Sequence, residues 1–422
     1  MSKILAGVIY GSICFKSERY SMERLFLRHD EYLRITPMEY IRDFMSSVNW
    51  NSRLICIRGP KGVGKSTLLR QYIKLHFSQG DRHVLYCSAD SGYFSNHSII
   101  DTADVFVNMG GTHLFIDEIH RYEKWSVEIK EIYDLYPDLH VVLSGSSLLA
   151  LRSGMADLSR RMLIYDMPGL SFREYLLFEK GLRFPTIELS ELLEHPSDLC
   201  EAVTRECRPL EYFSSYLYKG YYPFYFEDRF AYAPKVEGVV NYTIDVELPQ
   251  QCGVEVGNTR KIKALIQVLS SMVPFEVDIA KISRNLGMQR LTVLQYMKYL
   301  EDANLIRRLF ANLLTTGDLQ KPDKILLDNS NLLYVMSPSE PEIGTVRETF
   351  FCNQLASAGH QIEYGALRNA DFKIDDRIVV EVGGKDKGYR QIEGADNGYI
   401  AADGIDSALF RKIPLWAFGF LY

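Results

Sequence analysis

The stretch Gly59-Pro60-Lys61-Gly62-Val63-Gly64-Lys65-Ser66 follows the pattern G-x-x-x-x-G-K-S and leaves few folds open to this chain. An apolar run, Leu54-Ile55-Cys56-Ile57, precedes it, and Thr67-Leu68-Leu69-Arg70-Gln71-Tyr72-Ile73 follows with helical spacing. Strand, glycine loop and helix in that order make a phosphate cradle. The glycines let successive backbone N–H groups turn inward, and the helix N-terminus adds positive potential where the phosphates sit. Lys65 is then expected to bridge the β- and γ-phosphates of a nucleotide, and Ser66 to place its hydroxyl on Mg²⁺.

A second motif turns binding toward hydrolysis. His113-Leu114-Phe115-Ile116-Asp117-Glu118 is an apolar strand ending in two carboxylates. Asp117 is expected to hold Mg²⁺, directly or through water, and Glu118 to orient and deprotonate the attacking water. Alone, such a strand is weak evidence; downstream of a phosphate loop it is strong. No N-K-x-D guanine signature occurs where a GTPase would need one, which favours ATP by elimination.

From Arg53 the chain alternates strands and helices, which implies a parallel sheet covered on both faces. The expected strands are Leu54–Ile57, His83–Cys87, His113–Asp117, His140–Leu143 and Met162–Tyr165, with helices near Lys65–Phe77, Ser98–Asn108 and Trp125–Tyr136. A helix from Pro37 to Val48 is expected to pack beside them, within an N-terminal segment 1–50. At the tip of the fourth strand, Ser144 or Ser146 could sense the γ-phosphate by hydrogen bond, or the serine-rich loop could simply cap the next helix. Arg160 or Arg161 could act as an arginine finger on a neighbouring subunit of a homo-oligomer, neutralising charge on the transferred phosphoryl; otherwise they are a solvated pair at a helix end.

The fold class expected is therefore α/β: a P-loop NTPase parallel sheet (51–169) with a helical lid (170–255), then a winged helix-turn-helix (256–312) and a C-terminal α/β domain (313–422) resembling restriction endonucleases. Ser171 and Glu174 form a capping box at the start of the lid. The aromatic turn Lys219–Phe226 reads as lid core rather than a base-stacking platform. In the third unit Ile282, Leu286, Val293 and Leu300 point inward, and Arg290, Thr292, Gln295 and Lys298 would face DNA, or the domain would serve protein contacts. In the last unit Glu348, Asp371 and Glu381 resemble the carboxylates of a nuclease metal site. The E-x-K pattern degrades there to Glu381-Val382-Gly383, so the lysine would have to be Lys385 swinging back over Gly383-Gly384, and a nuclease-like fold without activity is the expectation.

Composition excludes several classes. A net charge of −6 argues against indiscriminate nucleic-acid binding, though not against one basic domain. The seven cysteines are scattered with no C-x-x-C pair, so neither a zinc site nor a disulfide framework is indicated. No apolar run approaches the roughly 20 residues of a membrane span. The opening Met1–Tyr10 lacks a cleavage site, and a cytoplasmic protein is expected.

Beyond residue 35 the chain resembles prokaryotic predicted ATPases of the AAA superfamily that carry a C-terminal domain of unknown function. The resemblance is carried by residues 59–66, Phe115-Ile116-Asp117-Glu118-Ile119-His120, Leu143-Ser144-Gly145-Ser146, Leu170-Ser171-Phe172-Arg173-Glu174-Tyr175, Thr345–Phe350 and Val380–Lys385. It implies ATP binding through Gly62, Gly64, Lys65, Ser66 and Thr67, with Mg²⁺ at Ser66 and Asp117. The family commonly has Gly-Arg before the last strand of the ATPase sheet; here the pair is Arg160-Arg161. Three functions follow as expectations: an ATP-hydrolysing switch coupled to a DNA-binding or effector region, a nucleotide-regulated DNA-binding module with a slow ATPase, or an ATP-gated metal-dependent nuclease.

Overall fold

The computed structural model describes residues 21–145, 158–271, 277–311, 317, 319–365 and 370–422. Ser146 and the chain's first ten residues lie outside these. The chain divides into two compact units, Met1–Met167 and Pro168–Tyr422.

In the first unit, strands β1 (Leu54–Arg58), β2 (Val84–Ser88), β3 (His113–Asp117), β4 (His140–Gly145) and β5 (Leu163–Asp166) form an all-parallel sheet in the order β2-β3-β4-β1-β5. Their near-continuous apolar sequences are what burial on both faces demands. The period-2 alternation assigns the faces. Leu54, Cys56, Leu85, Cys87, Leu114, Ile116, Val141 and Leu143 join one apolar core with residues of helices α4 (Ile99–Asn108) and α5 (Trp125–Leu135). The opposite face meets helix α3 (Lys65–His76), whose Tyr72 ring lies 6.0 Å from that of Phe115. Glu128 of α5 ties the elements together: its Oε2 accepts the N–H groups of Ile99 and Ile100, at the start of α4, at 2.9 and 3.1 Å.

The N-terminal segment departs from expectation. The long helix covers residues 21–35, labelled α1, and only Phe44–Ser47 forms a turn of helix (α2) within the stretch 37–48. The carbonyls of Pro37 and Tyr40 accept from the Gln71 side chain of α3, both at 2.9 Å, and the Thr36 carbonyl accepts from Lys74 at 3.0 Å. Acceptors committed to α3 are unavailable for a local helix, so tertiary bonds override local propensity. In α1, Met22, Leu25 and Phe26 enter the core, while the buried His29 accepts the Tyr86 backbone N–H at 2.9 Å through Nδ1.

Burial holds the His29 imidazole down at about 4. A folded-state value below the unfolded one gives stability that is fully present above about pH 6.5 and lost as pH falls toward 4, on the order of 3 kcal/mol in all. Urea unfolding of the first unit should therefore weaken steadily over that window, and His29→Gln, which keeps an acceptor but cannot protonate there, should flatten the decline.

The second unit begins with six helices between Phe172 and Cys252. The Ser171–Glu174 capping box is present in full. Phe172 packs edge-on to Phe213, Tyr216 and Phe420, and Arg173 donates to the carbonyls of Tyr422 and Phe184, which joins the segment 170–255 to the end of the chain. Tyr221, Tyr222 and Tyr225 of the aromatic turn are buried, so these rings serve the core. Helices Val256–Ser271, Ile279–Leu286 and Arg290–Asp302 follow, and then strand β6 (Ile306–Leu309). Its partner is β7 (Lys324–Leu327), antiparallel, so the hairpin runs past the expected boundary at 312. The last sheet is built from β8 (Ile362–Tyr364), β9 (Phe372–Ile374), β10 (Ile378–Gly384), β11 (Gly398–Asp403) and β12 (Lys412–Pro414) in the order β12-β11-β10-β9-β8, with β9 antiparallel to β10 and helix Ile343–Ser357 packed against it.

One side chain holds much of this unit together. Asn331 is fully buried; its Nδ2 donates to the carbonyls of Tyr216 and Leu217 at 3.0 and 2.9 Å, and its Oδ1 accepts from the Tyr221 N–H at 2.9 Å and from the Tyr232 hydroxyl. It thereby satisfies the end of helix Pro209–Lys219 from a distance. Asn331→Leu keeps the volume and deprives the Leu217 carbonyl, the Tyr221 N–H and the Tyr232 hydroxyl of their partner, while the Tyr216 carbonyl keeps the Gly220 N–H, so a loss of about 3 kcal/mol is expected, read as a lower urea midpoint at unchanged m-value.

Candidate active site

The phosphate loop leaves β1 at Arg58, whose guanidinium is fixed by Asp166 of the neighbouring strand at 2.5 and 2.9 Å. Gly59 has no alternative at its position: an added Cβ would sit 2.1 Å from the Met167 carbonyl oxygen. Gly62 and Gly64 take φ of 86° and 97°, and Gly64 caps α3 in the left-handed conformation. No side chain caps that helix, so its first turn presents backbone donors and positive potential to the loop. Lys65 is buried and donates to the carbonyls of Gly59 and Pro60 at 2.9 and 2.7 Å, which folds its ammonium back into the loop. Arg42 of the N-terminal segment braces the same loop through the Val63 carbonyl at 3.1 Å. Ser66 and Thr67 follow on the first turn of α3. A cradle of inward N–H groups with an ammonium and a hydroxyl is the donor set that phosphate and Mg²⁺ require.

The sheet order sets the second half of the site. Because β4 lies between β3 and β1, its tip stands between the loop and the carboxylates, with Ile57 opposite Ser144. Ser144 is fully buried and donates to Oδ1 of Asp117. Asp117 is 4% exposed, and its Oδ2 accepts the Tyr86 hydroxyl at 2.7 Å. Tyr86 was not singled out in the sequence, because nothing in a lone strand marks which residue opposes which. The register finds it: Tyr86 pairs with Phe115, and Phe115 and Asp117 share a face.

Glu118 carries backbone strain. Its φ and ψ are 50° and 38°, left-handed values that cost a non-glycine residue about 1 kcal/mol or more. The bend lifts its carboxylate out of the strand line, where its Oε2 lies 3.4 Å from Nε2 of the buried His120.

The two arginines lie elsewhere. Both precede β5, at the end of the strands opposite the loop, since β5 runs parallel to β1 and its far end, Asp166, meets Arg58. Arg161 pairs with Asp134 at 3.1 Å, while Arg160 is exposed. Neither reaches the loop of its own chain.

In the second unit Arg290 is exposed on helix Arg290–Asp302, and Thr292 and Gln295 are half-buried. Lys298 is a correction: it lies along its own helix, paired with Asp302 at 2.6 Å and largely buried. Glu348, Asp371 and Glu381 do converge. Glu381 Oε2 accepts the Asp371 N–H at 3.2 Å, Asp371 Oδ2 accepts the Val382 N–H at 2.8 Å, and burial pushes the Glu348 carboxyl up to about 7 against the pull of Lys324, with Asp371 adding to the rise. The lysine expected at 385 is instead Lys387. Lys385 is exposed, whereas Lys387 pairs with Glu381, its stem lying 2.8 Å from where a Cβ on Gly383 would stand. The glycine thus seats the lysine two residues later than expected. Lys324, from β7, pairs with Glu348 at 2.7 Å. Lysines already pair with two of the three carboxylates, Glu348 and Glu381, and among the described residues no group of three or more His, Cys, Asp or Glu is arranged to hold a metal ion.

A five-stranded parallel sheet with a glycine loop between β1 and α3 defines a P-loop α/β nucleotide-binding fold. Residues 51–176 match the family described as AAA domain, and residues 210–339 match a domain of unknown function (DUF8612). No curated protein matches the chain in sequence. Among solved structures it is similar to a Walker-type ATPase of Pyrococcus abyssi, PABY2304, at 13% identity and a TM-score of 0.39, covering 68% of this chain and 91% of that one. It is also similar to AMPPCP-bound DnaA from Aquifex aeolicus at 16% identity and a TM-score of 0.25, covering 61% and 84%. Among the described residues no helix is long and apolar enough to cross a membrane.

Proposed function

We propose that this protein is a Mg²⁺-dependent ATPase whose nucleotide state controls a DNA-binding or effector region in residues 168–422. The observation that carries the reading is the convergence, at the carboxyl end of the parallel strands, of the Lys65 loop, the doubly held Asp117 and the strained Glu118. Lys65 and the loop N–H groups, with Thr67 at the helix start, grip the phosphates of ATP. Ser66 and Asp117 hold Mg²⁺, which supplies charge neutralisation on the β- and γ-oxygens when bound. Glu118 accepts a proton from the water that attacks the γ-phosphorus in line, and His120 steadies that carboxylate. Ser144 gives its single hydroxyl proton to Asp117, and would register the γ-phosphate only by switching that proton from the carboxylate to a phosphate oxygen. Arg160 is the better finger candidate, in trans within a homo-oligomer, because Arg161 is committed to Asp134.

For the output region, a helix-turn-helix followed by the β6–β7 hairpin supports a winged-helix reading, with Arg290 as its exposed base. Phosphate release and duplex DNA affinity measured together test the coupling. ATP should change DNA affinity in the wild type, and Arg290→Glu should weaken DNA binding while basal ATP turnover stays the same. DNA affinity that ignores both ATP and Arg290→Glu would sink the DNA half of the reading. The lysines paired with Glu348 and Glu381 support a C-terminal domain without nuclease activity.

A further inference from the structure

We propose that Tyr86 is a positioning residue of the nucleotide site: with Ser144, its hydroxyl fixes the carboxylate plane of Asp117 and so prepares that group to receive the divalent cation. The inference rests on the nucleotide-site reading above and adds to it a residue outside both sequence motifs.

The geometry is that of a clamp. Tyr86 donates to Oδ2 at 2.7 Å and Ser144 to Oδ1, one donor on each oxygen. An ionised carboxylate offers about four lone-pair sites, so both oxygens keep acceptor capacity for a cation or its water. The clamp itself is held. The Tyr86 backbone N–H bonds to Nδ1 of His29 at 2.9 Å, the Tyr32 ring packs edge-on at 5.4 Å, and the Arg70 guanidinium lies 5.7 Å from the ring centroid. Tyr86 is 3% exposed, so the packing around its ring leaves the hydroxyl one direction, toward Asp117. Partners that orient a ligating side chain typically set metal affinity by about 10- to 100-fold.

The test uses the full chain and a methylanthraniloyl-labelled ADP, titrated once in Mg²⁺ and once in EDTA. Tyr86→Phe keeps the ring and removes only the hydroxyl. Affinity in EDTA should be unchanged, while the gain in affinity that Mg²⁺ brings should fall about tenfold. In an Asp117→Ala background the same substitution should change nothing further, because Tyr86 acts through Asp117. An equal loss in both buffers would reveal a merely structural role and overturn the proposal, as would an unchanged Mg²⁺ gain or an effect that persists without Asp117. Should Tyr86→Phe fail to fold, Ser144→Ala carries the same expectation from the other oxygen. A wild type that binds the labelled ADP in neither buffer overturns the nucleotide-site reading, and this proposal falls with it.

Discussion

Glu118→Gln is expected to keep ATP bound while steady phosphate release falls by about a hundredfold or more. The substitution preserves size and hydrogen bonding but removes the base that takes the water's proton. The local backbone gives this expectation its weight. A left-handed residue at the end of β3 persists only where its surroundings enforce it, and the enforced direction carries the carboxylate beside His120. The measurement is a pair of assays on one preparation: equilibrium binding of ATP and single-turnover hydrolysis. Binding retained with turnover lost assigns Glu118 to the chemical step; both lost together would assign it to folding of the loop.

Lys65→Ala should remove ATP binding itself, by about a hundredfold or more in affinity. The ammonium is nearly enclosed and bonded to two loop carbonyls, so the truncated chain loses the cation and leaves the Gly59 and Pro60 carbonyls without that donor. Isothermal titration with ATP reads the affinity, and thermal unfolding separates a lost ligand contact from a collapsed loop. The unfolding temperature without ATP should be close to that of the wild type, with the ATP-dependent rise gone.

What the sequence displayed and what it hid follow from how each feature is encoded. The phosphate loop and the Asp117-Glu118 pair are local patterns, each set by spacing along a few residues, and the alternation of strands and helices follows from hydrophobic period. Tyr86 and Ser144 converge on Asp117 only because β2, β3 and β4 are neighbours in a particular register, which no single segment encodes. The segment 37–48 failed as a helix for the same reason, since Gln71 claims its carbonyls from thirty-odd residues away. In the C-terminal domain the three carboxylates were legible, but the lysine was displaced from 385 to 387 by a glycine whose use appears only in three dimensions. The pairing of β6 with β7 joins residues fifteen or more positions apart, Leu309 opposite Lys324 being the nearest, which neither segment displays by itself.

The most direct test of the central claim is steady-state phosphate release from Mg²⁺-ATP by the wild type beside Lys65→Ala and Glu118→Gln. Sustained turnover by the wild type, abolished in both variants, is the predicted result. Turnover that persists in Lys65→Ala, or a wild type that binds ATP and releases no phosphate, would contradict it.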